Sequence, residues 1–179
     1  MRENGEIRMM TFKPSIFVDG DACPVKDECL ECAKLFQTEV VFVASIKNKT
    51  HHDQYAKWVY VDWDKEAADL YMMNNTHKGD IAITHDIGLA AALLGKGVCV
   101  ISPKGIIYNE NNIDSLLFMR HEAAKKRRNG VYGKGPKAFN TEDRKNFKET
   151  LLKILSNFAG NQGDLSNIRL SPKENGVIK

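Results

Sequence analysis

The chain has 179 residues, 42% of them hydrophobic and 27% charged, with a formal net charge of +3. That length suits one domain with a substantial core rather than two. No run of about 18 apolar residues is present to span a bilayer, and the opening MRENGEIRMMTFKP lacks the apolar stretch of a secretory leader. A cytoplasmic chain with no membrane partner is expected. The four cysteines, Cys23, Cys29, Cys32 and Cys99, show no disulfide framework.

Residues 1–13 read as an N-terminal extension, 14–158 as a single domain and 159–179 as a disordered tail, rich in Asn, Gly, Ser and Lys. Charge is unevenly placed. From Arg120 to Lys153 there are eleven Lys/Arg against four Asp/Glu; from Met1 to Met119 there are twelve against seventeen. An acidic body carrying a basic segment suggests a polyanionic partner, although a solvated helical face gives the same pattern.

Ser15 to Asp19 (SIFVD) predicts a buried strand. Cys23-Pro24 then opens a helix, with proline at its first position and Leu30, Ala33 and Leu35 or Phe36 on its apolar side. Glu39 to Ser45 (EVVFVAS) reads as a strand buried on both faces. After a polar loop, Lys57 to Asp62 (KWVYVD) is a further strand. Glu66 to His77 is helical, its apolar side formed by Ala67, Leu70 and Met73 or Asn74, and Lys78-Gly79 ends it.

Asp80 to Thr84 (DIAIT) is a strand, Ile87 to Leu94 a short buried helix and Val98 to Ile101 (VCVI) the last strand, followed by the turn Ser102 to Gly105. A long helix begins at or near Asn112 and runs through Ile113, Leu116, Leu117 and Ala124 to Arg128. After the glycine-rich stretch Gly130 to Pro136, Thr141-Glu142-Asp143 starts a final helix ending near Phe158. The alternation predicts a three-layer α/β domain, a mostly parallel sheet with helices on both faces.

Ligands of such sheets bind beyond the carboxyl ends of the strands. Asp19 and Asp21 follow the first strand, Asp86 follows Thr84, and Asp69 falls in the first turn of the helix after KWVYVD. Carboxylates gathered at one edge repel one another unless a cation or raised pKa values relieve them. Oxygen-rich sites suit Mg²⁺ or Mn²⁺, which activate water and stabilise charge on phosphate. The alternative for Asp69, Asp80 or Asp86 taken singly is an ordinary helix or turn cap.

Val18-Asp-Gly-Asp-Ala-Cys-Pro-Val25 resembles the signature VDADACPV of the YaiI/YqxD family of bacterial proteins, with Gly20 in place of the usual alanine. Further matches follow in order: Glu66 to Tyr71, Lys78 to Ala90, Ser102 to Gly105, Asn112-Ile113, Arg120, Gly135 to Phe139 and Asp143-Arg144. The resemblance spans Ile16 to Leu155. It implies a PIN-like fold, related to metal-dependent ribonucleases. In that pattern an acid ends the first strand, another sits on a central helix and a Thr-x-Asp follows a later strand. These positions fall on Asp19, Asp69 and Thr84-His85-Asp86; many PIN nucleases carry a further acid shortly after the Thr-x-Asp, where this chain has Ile87-Gly-Leu-Ala90.

The resulting expectation is a Mg²⁺- or Mn²⁺-dependent phosphodiesterase acting on RNA. Asp19, Asp69 and Asp86 would bind metal, Asp21 would bind a second ion or orient water, and Thr84 would hold the geometry. Arg120, Arg127, Arg128, Lys134, Lys137 and Arg144 would hold the nucleic-acid backbone. One alternative is a non-catalytic RNA-binding PIN-like module.

A second alternative is a haloacid-dehalogenase-like phosphatase, whose first motif Asp19-x-Asp21 resembles. Against it, Cys23 stands where that family has Thr or Val, and Ser102 and Lys104 follow Asp80 and Asp86 in the wrong order. Cys29-x-x-Cys32 lacks a second pair for zinc and reads as core or surface cysteine. His51-His52-Asp53 reads as a solvated turn, and Met72-Met73 and Leu93-Leu94 as core.

Overall fold

The computed structural model describes residues 13–161 apart from Ala22, residues 49–53, Trp63, Lys65, Tyr132, Lys134 and Pro136. The expected extension (bar Lys13), the tail beyond Asn161 and the His51-His52-Asp53 motif lie outside the described residues.

Valine- and isoleucine-rich segments that are apolar on both faces favour the interior of a parallel sheet. Five strands interleave with three helices: β1 (Ile16–Asp19), α1 (Lys26–Phe36), β2 (Val40–Ser45), β3 (Lys57–Val61), α2 (Ala67–Asn75), β4 (Ile81–Ile83), α3 (Ile87–Gly95) and β5 (Cys99–Ile101). Two long helices follow, α4 (Glu110–Arg128) and α5 (Thr141–Asn161). The five strands form one sheet in the order β3–β2–β1–β4–β5, and every pairing is parallel. Among the described residues, an isolated antiparallel bridge also pairs Ile101, at the end of β5, with Ile107.

Alternate strand residues face opposite layers. Ile16, Val18, Val40, Phe42, Ile81 and Ile83 pack with Cys29, Cys32 and Ala33 of α1 and with Phe147, Leu151, Ile154 and Leu155 of α5. Phe17, Val41, Val43, Ala82 and Val100 pack on the other side with Met72 of α2, Leu89, Ala90 and Leu93 of α3 and Ile113 of α4. The domain is therefore the expected three-layer α/β sandwich. Gly105, at φ +81°, closes the turn after β5, and a Cβ there would stand 2.8 Å from Asn146 backbone atoms, so α5 lies directly against that turn.

Several local expectations are corrected. Helix α1 begins at Lys26 rather than at Pro24, because Val25 takes a non-helical backbone (φ −115°, ψ 30°) as its N-cap; the Pro24 carbonyl accepts the Arg144 guanidinium at 2.6 Å. Phe36 packs against the core while Leu35 is 70% exposed. On α2 the buried side is Ala68, Tyr71 and Met72; Leu70 and Met73 face outward, so the apolar side is one residue out of phase with the expected one.

Helix α4 starts at Glu110, capped by Asn109 in a box with Asn112. Helix α5 starts at Thr141 as expected, with Asn140 capping it through reciprocal bonds with Asp143 of 2.9 and 3.1 Å. That helix continues to Asn161, past Phe158.

Candidate functional site

The strand order changes direction beside β1. From β1 the chain steps through α1 to β2 on one side, and β4 lies on the other. In open parallel sheets such a switch point leaves a crevice at the carboxyl ends of the strands. Asp19 closes β1 there, and Thr84 directly follows β4. The Thr84 hydroxyl donates to Asp19 Oδ2 at 3.2 Å and accepts the Asp86 N–H at 3.0 Å. One buried hydroxyl thus ties both strand ends together.

Asp86 caps α3: its Oδ1 accepts the N–H groups of Gly88 and Leu89 at 2.7 and 3.1 Å. The same carboxylate receives a two-pronged contact from Arg120 of α4, NH1 to Oδ1 at 3.0 Å and NH2 to Oδ2 at 3.3 Å. Burial alone would raise the Asp86 pKa. The Arg120 hydrogen bond and the Leu89 and Gly88 amides outweigh it, and the carboxyl is held below the ordinary 3.8.

Asp19 and Asp69 behave oppositely. Burial raises Asp19 above the ordinary value; Thr84 offsets part of this, while Asp21 and Asp86 add repulsion. Burial also raises Asp69, with further repulsion from Asp86, Asp19 and Glu66. These mutual effects make Asp19, Asp69 and Asp86 one electrostatic group, supplied by β1, α2 and the start of α3. His85 shares the field of Asp19, but burial lowers its pKa, so imidazole stays neutral more readily there.

Asp21 has a local task. Its Oδ1 accepts the Ser45 N–H and the Asn48 side-chain amide, both at 2.8 Å, fixing the end of β2 beside the acid group. Asp80 lies at the opposite end of β4, accepting the His77 N–H of its own turn at 2.8 Å and the Ser15 N–H just before β1 at 3.0 Å.

A cleft of about 700 Å³ opens beside the acids, between α2, the start of α3 and α4. Asp62, Asp64, Glu66, Asp69 and Asp86 line it with Leu70, Met73 and Arg120. Sequence reasoning did not single out Asp62, Asp64 and Glu66; their signal is the acid-dense DWDKE directly after the strand KWVYV. It also missed Gly88. A Cβ there would stand 3.1 Å from Asp86 Oδ1 and 3.8 Å from Arg120 NH1, so glycine leaves room for the fork.

Among the described residues, no three His, Cys, Asp or Glu side chains stand close enough to hold a metal ion together. The donor chemistry of Asp19, Asp69 and Asp86 nevertheless suits a hard divalent cation, since all are carboxylates and two are raised by burial and like charge. The arrangement therefore matches such an ion in chemistry but does not close around one.

The six expected nucleic-acid contacts separate. Arg120 belongs to the acid group. Arg144 ties α5 to α1, reaching Glu28 at 2.9 Å and lying 5.3 Å from the Phe139 ring. Arg127 and Arg128 are exposed in the last turn of α4, beside Lys125 and Lys126. Lys137 is exposed, and its carbonyl accepts Lys104 Nζ at 3.2 Å. Lys134 lies outside the described residues.

Fold and site together define a three-layer α/β domain with a carboxylate group at its sheet switch point. The chain belongs to the YaiI/YqxD family: the family described as "Uncharacterized BCR, YaiI/YqxD family" matches residues 17–157. A UPF0178 protein of Bacillus velezensis is 48% identical over 147 residues, 82% of this chain and 88% of the relative. One from Listeria welshimeri is 46% identical over 148 residues, 83% of this chain and 99% of its own length. Another, from Listeria monocytogenes, is 48% identical over 144 residues, 80% and 97% of the two chains. No solved structure matches significantly. No helix among the described residues is long and apolar enough to cross a membrane.

Proposed function

We propose that the chain is a divalent-cation-dependent phosphodiesterase acting on RNA. The observation that carries this reading is that Asp19, Asp69 and Asp86 arrive from three separate elements at one sheet edge, where Asp86 raises both Asp19 and Asp69 by repulsion and Asp19 adds to the rise of Asp69. The positions agree with the PIN-like pattern that the sequence resembles.

Asp19, Asp69 and Asp86 would hold Mg²⁺ or Mn²⁺, which when bound supplies a Lewis acid for the phosphate and a lowered pKa for water. Thr84 fixes the Asp19 carboxylate through its hydroxyl. Asp21 holds the neighbouring β2 end in place and keeps a negative charge near Asp19. The exposed Arg127, Arg128 and Lys137 give an RNA backbone its cationic contacts.

Titration of Mn²⁺ into chelator-treated protein and into Asp19→Asn tests the metal half of this reading. Saturable binding to the parent, lost in the variant, is expected. Equal binding to both would remove Asp19 from the site.

A second reading, a non-catalytic RNA-binding module, is favoured by one observation: the Asp86 carboxylate is already engaged by two amides and Arg120. Under that reading, RNA binding survives Asp19→Asn and falls steeply with salt. The phosphatase reading has less support. Ser102 Oγ accepts the Ile106 N–H at 3.1 Å in its own turn, and Lys104 contacts the Lys137 carbonyl and Asp143.

A further inference from the structure

We propose that the outward face of α4 is a self-association surface, on which a second copy of this chain packs its own α4 antiparallel. The proposal stands apart from the acid site and from the RNA reading.

Helix α4 uses only one side within its own chain. Ile113, Leu116 and Leu117 pack into the core layer shared with α3, and Arg120 reaches Asp86. On the opposite side Asn111, Asp114, Phe118, His121, Lys125 and Arg128 are all exposed. They follow one another at steps of three, four, three, four and three residues, the spacing of a coiled-coil seam. Phe118 and Met119 stand side by side at its middle, 66% and 63% exposed. Single exposed apolar residues are ordinary on a protein surface, but an adjacent pair of this size on a helical seam suits a contact between helices.

Charge selects both the occupant and its direction. Asp114 lies one turn before Phe118 and Lys125 two turns after it, so the seam is acidic at one end and basic at the other. Among the described residues, neither Asp114 nor Lys125 forms an ion pair within its own chain. A parallel copy would set Asp114 against Asp114 and Lys125 against Lys125. An antiparallel copy in coiled-coil layering sets Asp114 against Lys125 of the second copy and Phe118 against its His121. Two-fold symmetry then makes each contact twice, and the helix dipoles also oppose. An RNA backbone would satisfy Lys125 but be repelled by Asp114, so a second copy is the occupant that answers both ends of the seam. Exposed ion pairs are individually weak. The apolar centre supplies attraction, and the charges fix register and direction.

The test is sedimentation equilibrium of the full chain from micromolar to millimolar concentration, on the parent, Phe118→Glu, Asp114→Lys, Lys125→Glu and the double variant Asp114→Lys/Lys125→Glu. All four variants change exposed side chains, and circular dichroism checks that each remains folded. The parent is expected to dimerise reversibly. Phe118→Glu is expected to weaken the dimer about tenfold or more, as loss of a central apolar anchor does. Each single charge reversal turns two attractive contacts into two repulsive ones and is expected to weaken the dimer about tenfold. The double reversal restores opposite charges across an antiparallel seam and recovers the parent affinity. A parent that stays monomeric at every concentration overturns the proposal, and RNA binding lost in Phe118→Glu would then assign the face to RNA. A dimer unaffected by Phe118→Glu, or one that the single reversals leave unchanged, also overturns it, because the interface then lies elsewhere or runs parallel.

Discussion

The Thr84 hydroxyl donates to Asp19 Oδ2 at 3.2 Å, joining the ends of β4 and β1 across the switch point. Thr84 is 1% exposed and also accepts the Asp86 N–H, so its loss strands a carboxyl oxygen and an amide together. Thr84→Val keeps the shape and removes both bonds. It is expected to cost about 1–2 kcal/mol, read as a lower urea midpoint at unchanged slope. Thr84→Ser, which restores the hydroxyl, is expected to recover most of that loss.

Asp86 separates two roles by choice of substitution. Asn is as good a helix cap as Asp but carries no charge. Asp86→Asn is therefore expected to retain most of the stability that capping α3 contributes, whereas Asp86→Ala loses about 1 kcal/mol. Both variants are expected to lose Mn²⁺ binding. Thermal unfolding and metal titration of the pair distinguish cap from ligand.

Acid titration has opposite signs at the two kinds of carboxyl. Burial raises Asp19, so the folded chain holds that proton more tightly than the unfolded one. Its charge therefore destabilises at neutral pH, and the penalty is relieved as pH falls through the raised value toward 3.8. Asp19→Asn is expected to raise the urea midpoint at neutral pH, and the gain shrinks on acidification. Asp86 lies below 3.8, so its contribution is present above that value and lost as pH falls through the depressed one. Urea midpoints of the parent, Asp19→Asn and Asp86→Asn across pH 3 to 8 check both directions.

Arg144 is expected to matter for stability rather than for nucleic acid. It joins the Pro24 carbonyl, Glu28 and the Phe139 face, linking α5 to α1. Arg144→Ala is expected to cost about 1 kcal/mol after allowance for its exposure, with RNA affinity unchanged. Arg127→Ala and Arg128→Ala are expected to leave stability unchanged. Each would flatten the salt dependence of single-stranded RNA binding by roughly 0.7 in log–log slope per lost phosphate contact.

The layer architecture was legible because each strand announces itself as a short apolar run, and EVVFVAS is buried on both faces as its composition requires. Helix phase was harder to read. The α2 stretch AADLYMMNN offers apolar residues at both 67/70/73 and 68/71/72, and only packing against β1 and β2 selects the second set. The start of α1 was hidden for a different reason: Val25 leaves the helical region at φ −115°, ψ 30°, beside a Pro24 carbonyl that binds an arginine 120 residues away. The carboxylates were visible as strand-end acids. The partner of Asp86 was not, because Arg120 lies 34 residues downstream in a basic segment that reads as a polyanion contact or a solvated face rather than as the partner of an acid. No local spacing encodes a contact made by the third layer.

The measurement that bears most directly on the central claim is cleavage of an end-labelled single-stranded RNA by the chelator-treated protein, with and without Mn²⁺. It is run beside Asp19→Asn and Asp69→Asn purified identically. Cleavage that needs Mn²⁺ and is lost in both variants, while both remain folded, is the predicted result. Cleavage that persists in the variants, or RNA bound by all three proteins and cut by none with Mn²⁺ present, would contradict a nuclease built on these acids.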